Sequence, residues 1–429
     1  MAGFALTAYR TISPLLPAAL RLLSPGMGAL RKFGDLRRDL FDDIESKLRA
    51  IPKPSCRLWV HAASVGEFEQ ARPVIAELKR RMPELDLVVS FLSDSGYEAR
   101  KDYKEASAVF YLPLDTPANA RRLVDLVRPD IFMLMRYDFW PNHLEALKLS
   151  GAKLVLAAAA LPAGSSYFNP LLRGFYRDLF EMFDAIFTVD GKGREAFTTT
   201  FGCRRVVQAG EPRFDQVFER QRAGDKRAAT LKPLFRERMV LVAGSTWEPD
   251  EAALLPAWLP LREKLSLVLV PHKVDRPNID RIMADLREKG LEFVAISSMD
   301  ATFDPQRQVL IVDQTGYLAE LYTIASIAYV GGAFGVNVHN TIEPAVHGIP
   351  VLFGPRYGKS PEAAELIEAG GALTIGGQAE LGQALARFAS NPELMRTVGE
   401  RAGAFVKSRL GATQTISGAI ERLAAGRCS

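Results

Sequence analysis

From residue 57 onward, short apolar runs alternate with amphipathic segments. The runs at 57–63, 85–92, 108–114, 131–135, 153–160 and 185–189 are continuous rather than alternating, as expected of strands buried on both faces. The intervening spacing predicts helices over about 67–82, up to residue 127, and over 143–149. Residues 219–238 break the pattern: Glu219, Arg220, Gln221, Arg222, Gly224, Asp225, Lys226 and Arg227 carry no strand signal. Apolar runs resume at 239–243, 267–270, 293–296, 309–312, 327–330 and 351–353, and the last stretch, about 40 residues, reads as helix. The pattern predicts an α/β protein of two tandem doubly wound, Rossmann-like parallel sheets facing across a cleft, with ligands beyond the carboxyl ends of the strands. A TIM barrel also alternates strand and helix, but the polar break and the helical tail count against it.

The front end differs from the rest. No carboxylate precedes Asp35, while Arg10, Arg21, Arg31 and Lys32 interleave with Ile12, Leu15, Leu16, Leu20, Leu22 and Leu23. A spanning helix needs ~20 apolar residues. Here Arg10 and Arg21 bracket a shorter run that Pro14 and Pro17 interrupt. Residues 1–34 therefore read as an interfacial segment suited to an anionic membrane surface, with packing on the protein body as the plainer alternative. The expected division is 1–34 for this segment, 35–208 for the first domain and 209–429 for the second.

Composition narrows the classes. A chain of 429 residues that is 48% hydrophobic and 24% charged is neither disordered nor fibrous. With 54 Lys+Arg against 50 Asp+Glu, it is too balanced for bulk-charge recruitment to nucleic acid. Cys56, Cys203 and Cys428 are far apart and form no CxxC, which argues for unpaired thiols and against a zinc site. The five histidines form no HxxxH pair, so no metal is expected.

Candidate chemistry gathers after the strands. His61-Ala-Ala-Ser64-Val65-Gly66-Glu67 follows the first, with Gly66 suited to a tight turn. Glu67 there is either a general base or a helix-dipole partner, and spacing alone leaves both open. Arg136-Tyr137-Asp138-Phe139-Trp140-Pro141-Asn142 follows another, although Asn142 also fits a helix cap and Trp140 a core residue. Gly210-Glu211-Pro212-Arg213-Phe214-Asp215 stands near the crossover, where Arg213 could reach an anion. In the second half, Gly244 to Glu248, Pro271-His272-Lys273, Asp313-Gln314-Thr315-Gly316 and His339-Asn340-Thr341-Ile342-Glu343 each follow a strand. Glycines, polar groups and helix starts thus converge on one edge, a pattern suited to a nucleotide, with Glu343 placed to hold a ribose diol. No GxGxxG, GxxxxGK[ST] or GxSxG occurs. No Asp-x-Asp pair offers a metal bridge to a diphosphate, so metal-independent transfer is favoured.

These motifs resemble the Kdo (3-deoxy-D-manno-octulosonic acid) transferases over nearly the whole chain. His61 to Glu67 matches the family pattern H-x-x-S-V-G-E, and Trp140-Pro141-Asn142 its W-P-N. Gly210 to Asp215 looks like G-S/N-L-K-F-D, and Ser245 to Glu251 like S-T-x-E-x-E-E. Val338 to Glu343, followed by Pro350 to Pro355, is similar to the H-N-P-L-E stretch and its P-V-L-x-G-P strand.

The resemblance implies an inverting glycosyltransferase of GT-B type. The first domain would take a lipid A precursor (lipid IVA) and the second CMP-Kdo, with no cofactor or metal. The enzyme would be held at the cytoplasmic face of the inner membrane. Carried over by motif, Glu67 is the base, and Arg213 stands for a transition-state lysine. Pro271 and His272 stand for a CMP-contacting Pro-Arg. Thr315, Gly316 and Tyr317 stand for a glycine-turn contact, and Asn340, Thr341, Ile342 and Glu343 for the last CMP-binding stretch. The chain departs where the family carries E-T-E-L. Arg136 stands in place of a catalytic-site glutamate, and either Asp138 supplies the carboxylate or Arg136 acts on the Kdo carboxylate. With His272 in place of arginine, phosphate contact would fall to Lys273 or Arg276. The alternatives are an epimerase-like sugar-nucleotide enzyme and a catalytically silent nucleotide-sugar-binding membrane protein. The apolar front end counts against the first and Glu67 against the second.

Overall fold

A computed structural model describes residues 4–18, 28–49, 51, 55–161, 164–224, 230–235 and 238–427. Leu20, Arg21, Leu22 and Leu23 of the front end, Asp225, Lys226 and Arg227 of the polar break, and Cys428 lie outside these residues. The chain forms two compact units, one of residues 1–216 with 410–429 and one of residues 217–409.

The first unit holds seven parallel strands: β1 (Arg57–Ala62), β2 (Asp86–Phe91), β3 (Ala108–Tyr111), β4 (Ile131–Met135), β5 (Lys153–Ala159), β6 (Ala185–Thr188) and β7 (Val206–Gln208). Their order is β3-β2-β1-β4-β5-β6-β7. The continuous apolar runs have a direct cause. Trp59 of β1 enters the core on one face of the sheet, while Leu58, Val60 and Ala62 enter the core on the other. Successive side chains point to opposite faces, and both faces are covered.

The second unit repeats the plan with β8 (Met239–Thr246), β9 (Leu265–Pro271), β10 (Glu292–Ala295), β11 (Gln308–Ile311), β12 (Ile327–Val330), β13 (Val351–Phe353) and β14 (Ala372–Thr374). The order is β10-β11-β9-β8-β12-β13-β14, all pairs parallel. Leu241 and Ala243 serve one core, Val240 and Val242 the other. Two doubly wound parallel sheets in tandem are the expected fold class. In each sheet the strand order reverses beside its first strand, between β1 and β4 and between β8 and β12. Ligand crevices form at such switch points.

Two expectations are corrected. The second domain does not run over 209–429, because the boundary falls within the helix Pro212–Ala223 and the last helix, Ala412–Ala425, belongs to the first unit. Ile416, Ile420 and Ala424 complete the core around Phe68, Ile75 and Leu78, and Asp215 accepts from the backbone N–H of Gly411 and Thr413 at 2.7 Å each. Cys56 is disulfide-bonded rather than an unpaired thiol, since separation along the chain does not decide proximity in space. The front end is anchored as well as apolar. In the helix Phe4–Ile12 and the turn after it, Leu6 is buried, Tyr9 donates to Asp115 Oδ2 at 2.9 Å and Asn142 Nδ2 donates to Ser13 Oγ at 3.0 Å. Among its described basic groups, Arg10 pairs with Glu145 at 2.5 Å and Lys32 with Asp94 at 2.5 Å.

Candidate active site

In the first unit, the β1 and β4 ends bring the two expected motifs together. Ser64 caps the helix Val65–Arg81, accepting the Glu67 N–H at 3.4 Å, while Glu67 Oε2 accepts the Ala63 N–H at 2.7 Å. These two bonds fix the carboxylate at the helix mouth and leave Oε1 for other partners. Gly66 is not the turn residue it was expected to be. It lies in the helix's first turn, and a Cβ there would meet only Ser64 Oγ, at 3.9 Å.

Asp138 is held by a chain of hydrogen bonds whose direction follows from valence. Trp59 Nε1 can only donate, and does so to Ser90 Oγ at 2.8 Å. Ser90 Oγ also lies 2.8 Å from His61 Nδ1, and His61 Nε2 lies 2.9 Å from Asp138 Oδ2, where an Nε2–H donates to the carboxylate. Trp140 Nε1 donates to the same oxygen at 2.9 Å. Burial raises the Glu67 carboxyl above its ordinary range. The Ala63 N–H opposes that rise, Asp138 reinforces it, and His61 and Arg136 oppose it. A carboxylate so raised is a stronger base than an exposed one.

Arg136 is the least ordinary residue here. It has φ of 64°, in the left-handed region, directly after β4. Its Nε donates to Gln70 Oε1 and its Nη2 to Glu211 Oε2, both at 2.9 Å. Glu211 is only 4% exposed, and its other oxygen lies 3.5 Å from Arg213 Nε. Sequence reasoning missed Gln70, Glu211 and Ser90 as members of the site. Gln70 left a signal by standing one turn after Glu67 on the same helix, and Glu211 by lying within the Gly210–Asp215 motif. Asn142 has a structural role, its N–H donating to Asp115 Oδ2 at 3.1 Å and its Nδ2 to Asp115 O at 2.7 Å.

In the second unit, the four expected strand ends belong to β11, β9, β8 and β12, which are neighbours in that order. Trp247, His272 and His339 stack, with centroids 4.6 Å apart for Trp247–His272 and 4.4 Å for His272–His339. Trp247 Nε1 donates to His339 Nε2 at 3.0 Å, and Lys273 Nζ lies 5.3 Å from the Trp247 ring centroid. Burial lowers both imidazoles, aided by Lys273 at His272 and by His272 at His339. Thr315 and Gly316 are exposed, Gly316 having φ of 85°, and Tyr317 caps the short helix that follows. Pro271, Thr341 and Ile342 are buried, and the Ile342 N–H is taken by Asn340 Oδ1 at 3.0 Å. Glu343 is raised by burial, lowered by Arg220, raised by Glu320 and lowered by a hydrogen bond with Asn340. Arg276 is committed to Asp280, with Nε–Oδ2 of 2.9 Å. The acids after β8 support the backbone. Asp250 accepts from Tyr329 Oη at 2.8 Å, Gly332 N at 2.9 Å and Trp247 N at 3.0 Å, and Glu251 accepts from Thr246 Oγ1 and Arg281 Nη2.

Two Rossmann-like units, one with a charged cluster and one with stacked rings at its switch point, define a doubly wound α/β class of protein with a ligand crevice expected in each unit. Comparison with known proteins makes this specific. Residues 37–216 match the family model described as 3-deoxy-D-manno-octulosonic-acid transferase (kdotransferase). The transferase of that name from Aquifex aeolicus is 30% identical over 339 residues, covering 76% of this chain and 84% of that one. The one from Haemophilus influenzae is 26% identical over 373 residues, covering 85% and 86%. The chain belongs to the 3-deoxy-D-manno-octulosonic acid transferase family and is a glycosyltransferase. Among solved structures, UDP-GlcNAc 2-epimerase from Neisseria meningitidis has a TM-score of 0.58 at 14% identity, covering 85% of this chain and all of that one. A glycosyltransferase from Rickettsia africae has 0.55 at 11%, covering 86% and 98%. These likenesses concern the fold alone.

Proposed function

We propose that the chain transfers Kdo from CMP-Kdo, with inversion at the anomeric carbon, to a hydroxyl of a lipid A precursor such as lipid IVA. The observation that carries this is Glu67 at the β1–β4 switch point, raised in basicity and fixed by the Ala63 N–H. Glu67 takes the proton of the acceptor hydroxyl as its oxygen bonds to Kdo carbon 2. The bond from that carbon to the phosphate oxygen breaks, and CMP leaves as a phosphate monoester. Arg213 opposes the charge that grows on the departing phosphate.

The second unit binds the donor. The stack of Trp247, His272 and His339 with Lys273 presents π surface and a cation at adjoining strand ends. No metal takes part, a proposal supported by the missing Asp-x-Asp pair.

The acceptor is a lipid, and the first unit offers a surface suited to the cytoplasmic face of an inner membrane. Ile12 and Leu15 are 62% and 63% exposed, and Leu171 is 90% exposed beside the helix Arg173–Phe180. Phe175 of that helix packs on Tyr9, which brings both apolar stretches to one side of the unit. Among the described residues no helix is long and apolar enough to cross a membrane.

Glu67→Gln keeps the shape and removes the base. Transfer from CMP-Kdo to lipid IVA should fall by at least ~10² while calorimetric CMP binding is kept. Retained transfer would reduce Glu67 to a helix cap.

A further inference from the structure

We infer that Arg136 and Glu211 form a charge clamp that sets the basicity of Glu67, with Gln70 fixing the orientation of the arginine. This rests on Glu67 being the base of the proposed transfer. The clamp is built rather than incidental. A residue other than glycine at positive φ is uncommon and strained, so something must hold Arg136 there. Its backbone N–H donates to Ala157 O at 2.9 Å, and two of its three guanidinium nitrogens are tied at 2.9 Å to Gln70 and Glu211.

Each partner has a physical reason for its place. Gln70 lies one turn after Glu67 on the helix Val65–Arg81, so its amide registers the guanidinium against the element that carries the base. Glu211 is buried and keeps its charge only with cations beside it, which Arg136 and Arg213 supply. The charged and titratable groups that act on Glu67 are Asp138, His61 and Arg136. Asp138 is held by His61 and Trp140. Arg136 also acts on Glu67, opposing its rise, and Glu211 beside it partly cancels that charge.

Arg136 and Glu211 stand 75 residues apart in the chain, and the fold brings the two side chains together.

The test is the pH profile of kcat/KM for the full chain with CMP-Kdo and lipid IVA. Glu211→Gln unmasks Arg136, favours ionised Glu67 and moves the acidic limb down by roughly half a unit to one unit. Arg136→Gln removes the cation and moves the limb up by a similar amount. The double variant strands no buried charge and returns the limb close to the wild-type position. Single variants that lower the rate equally at every pH, with the limb unmoved, would overturn the clamp. If the wild type transfers no Kdo, the proposed function fails first. The 13C shift of the Glu67 carboxyl, titrated in wild type and Glu211→Gln, then decides the clamp by itself. A lower midpoint in Glu211→Gln supports it, and identical midpoints overturn it.

Discussion

The two switch points occupy the same topological place and are built from opposite materials. Between β1 and β4, charged groups face one another across short distances: Glu67, Asp138, Arg136 and Glu211, with His61 oriented by Ser90. Between β8 and β12, the acids are withdrawn into the backbone. Asp250 is fully buried and consumed by three donors, which leaves three aromatic rings to face the crevice. A doubly wound sheet thus fixes where a crevice forms, while the residues after its strands decide whether that place presents charged groups or aromatic rings.

The largest expected effect breaks the comparison at its charged end. Asp138→Asn keeps the side chain's size but loses the charge that receives His61 and Trp140 and supports the basicity of Glu67. Kdo transfer should fall roughly 10²-fold, with CMP affinity unchanged. A variant within twofold of wild type would show that Asp138 does not fill the place of the family's glutamate. Arg136→Glu, which restores the family residue by name, should not rescue anything. It would put a carboxylate against the buried Glu211, 2.9 Å from where the guanidinium now sits.

The second unit has its own pH sensitivity, at His347. Burial pushes this imidazole down to about 4, outweighing the Ala319 carbonyl and Glu320, and its ring lies 6.4 Å from that of Tyr322. The folded state therefore prefers neutral His347. As pH falls below 6.5 the unfolded chain takes up the proton first, so stability is full above 6.5 and is lost progressively down to about 4. The loss approaches roughly 2–3 kcal/mol by the acid end. His347→Gln removes this dependence. Urea unfolding of both proteins at pH 7.5 and 4.5 checks it, and parallel losses would mean that His347 does not contribute.

Legibility in the sequence divided along the same line as the comparison. Twelve strands were readable because each feeds two covered faces and so forms an unbroken apolar run. The two missed, β7 and β14, are edge strands of three residues, too short for any period to show. Glu67 and the four strand ends were visible because motif and element coincide. The partners of Arg136 were not, since Gln70 and Glu211 stand 66 and 75 residues away and meet it only through the sheet. The rings of Trp247, His272 and His339 sit in three separate motifs, and their stacking follows from strand order rather than spacing. The last helix read as helix, but nothing in its own pattern says which sheet it covers.

The smallest expected effect tests that last point. Asp215 was singled out only as the end of a motif, yet its two oxygens receive the Gly411 and Thr413 N–H groups at 2.7 Å, where the helix Ala412–Ala425 begins. A carboxylate there satisfies two otherwise unpaired donors and complements the helix dipole. Gly411, with φ of 111°, caps that helix without a side-chain bond of its own, so Asp215 supplies the cap from elsewhere in the chain. Asp215→Ala should cost about 1 kcal/mol, the usual worth of a helix cap, and lower the unfolding midpoint of the first unit alone. Amide exchange should quicken at Thr413 to Ile416 and spread to Ile420 on the packed face, while β8 and β12 keep their protection. Equal loosening in β8 and β12 would assign the helix to the second unit. No change in either would mean that Ile416, Ile420 and Ala424 hold the helix by burial alone and that the cap is redundant.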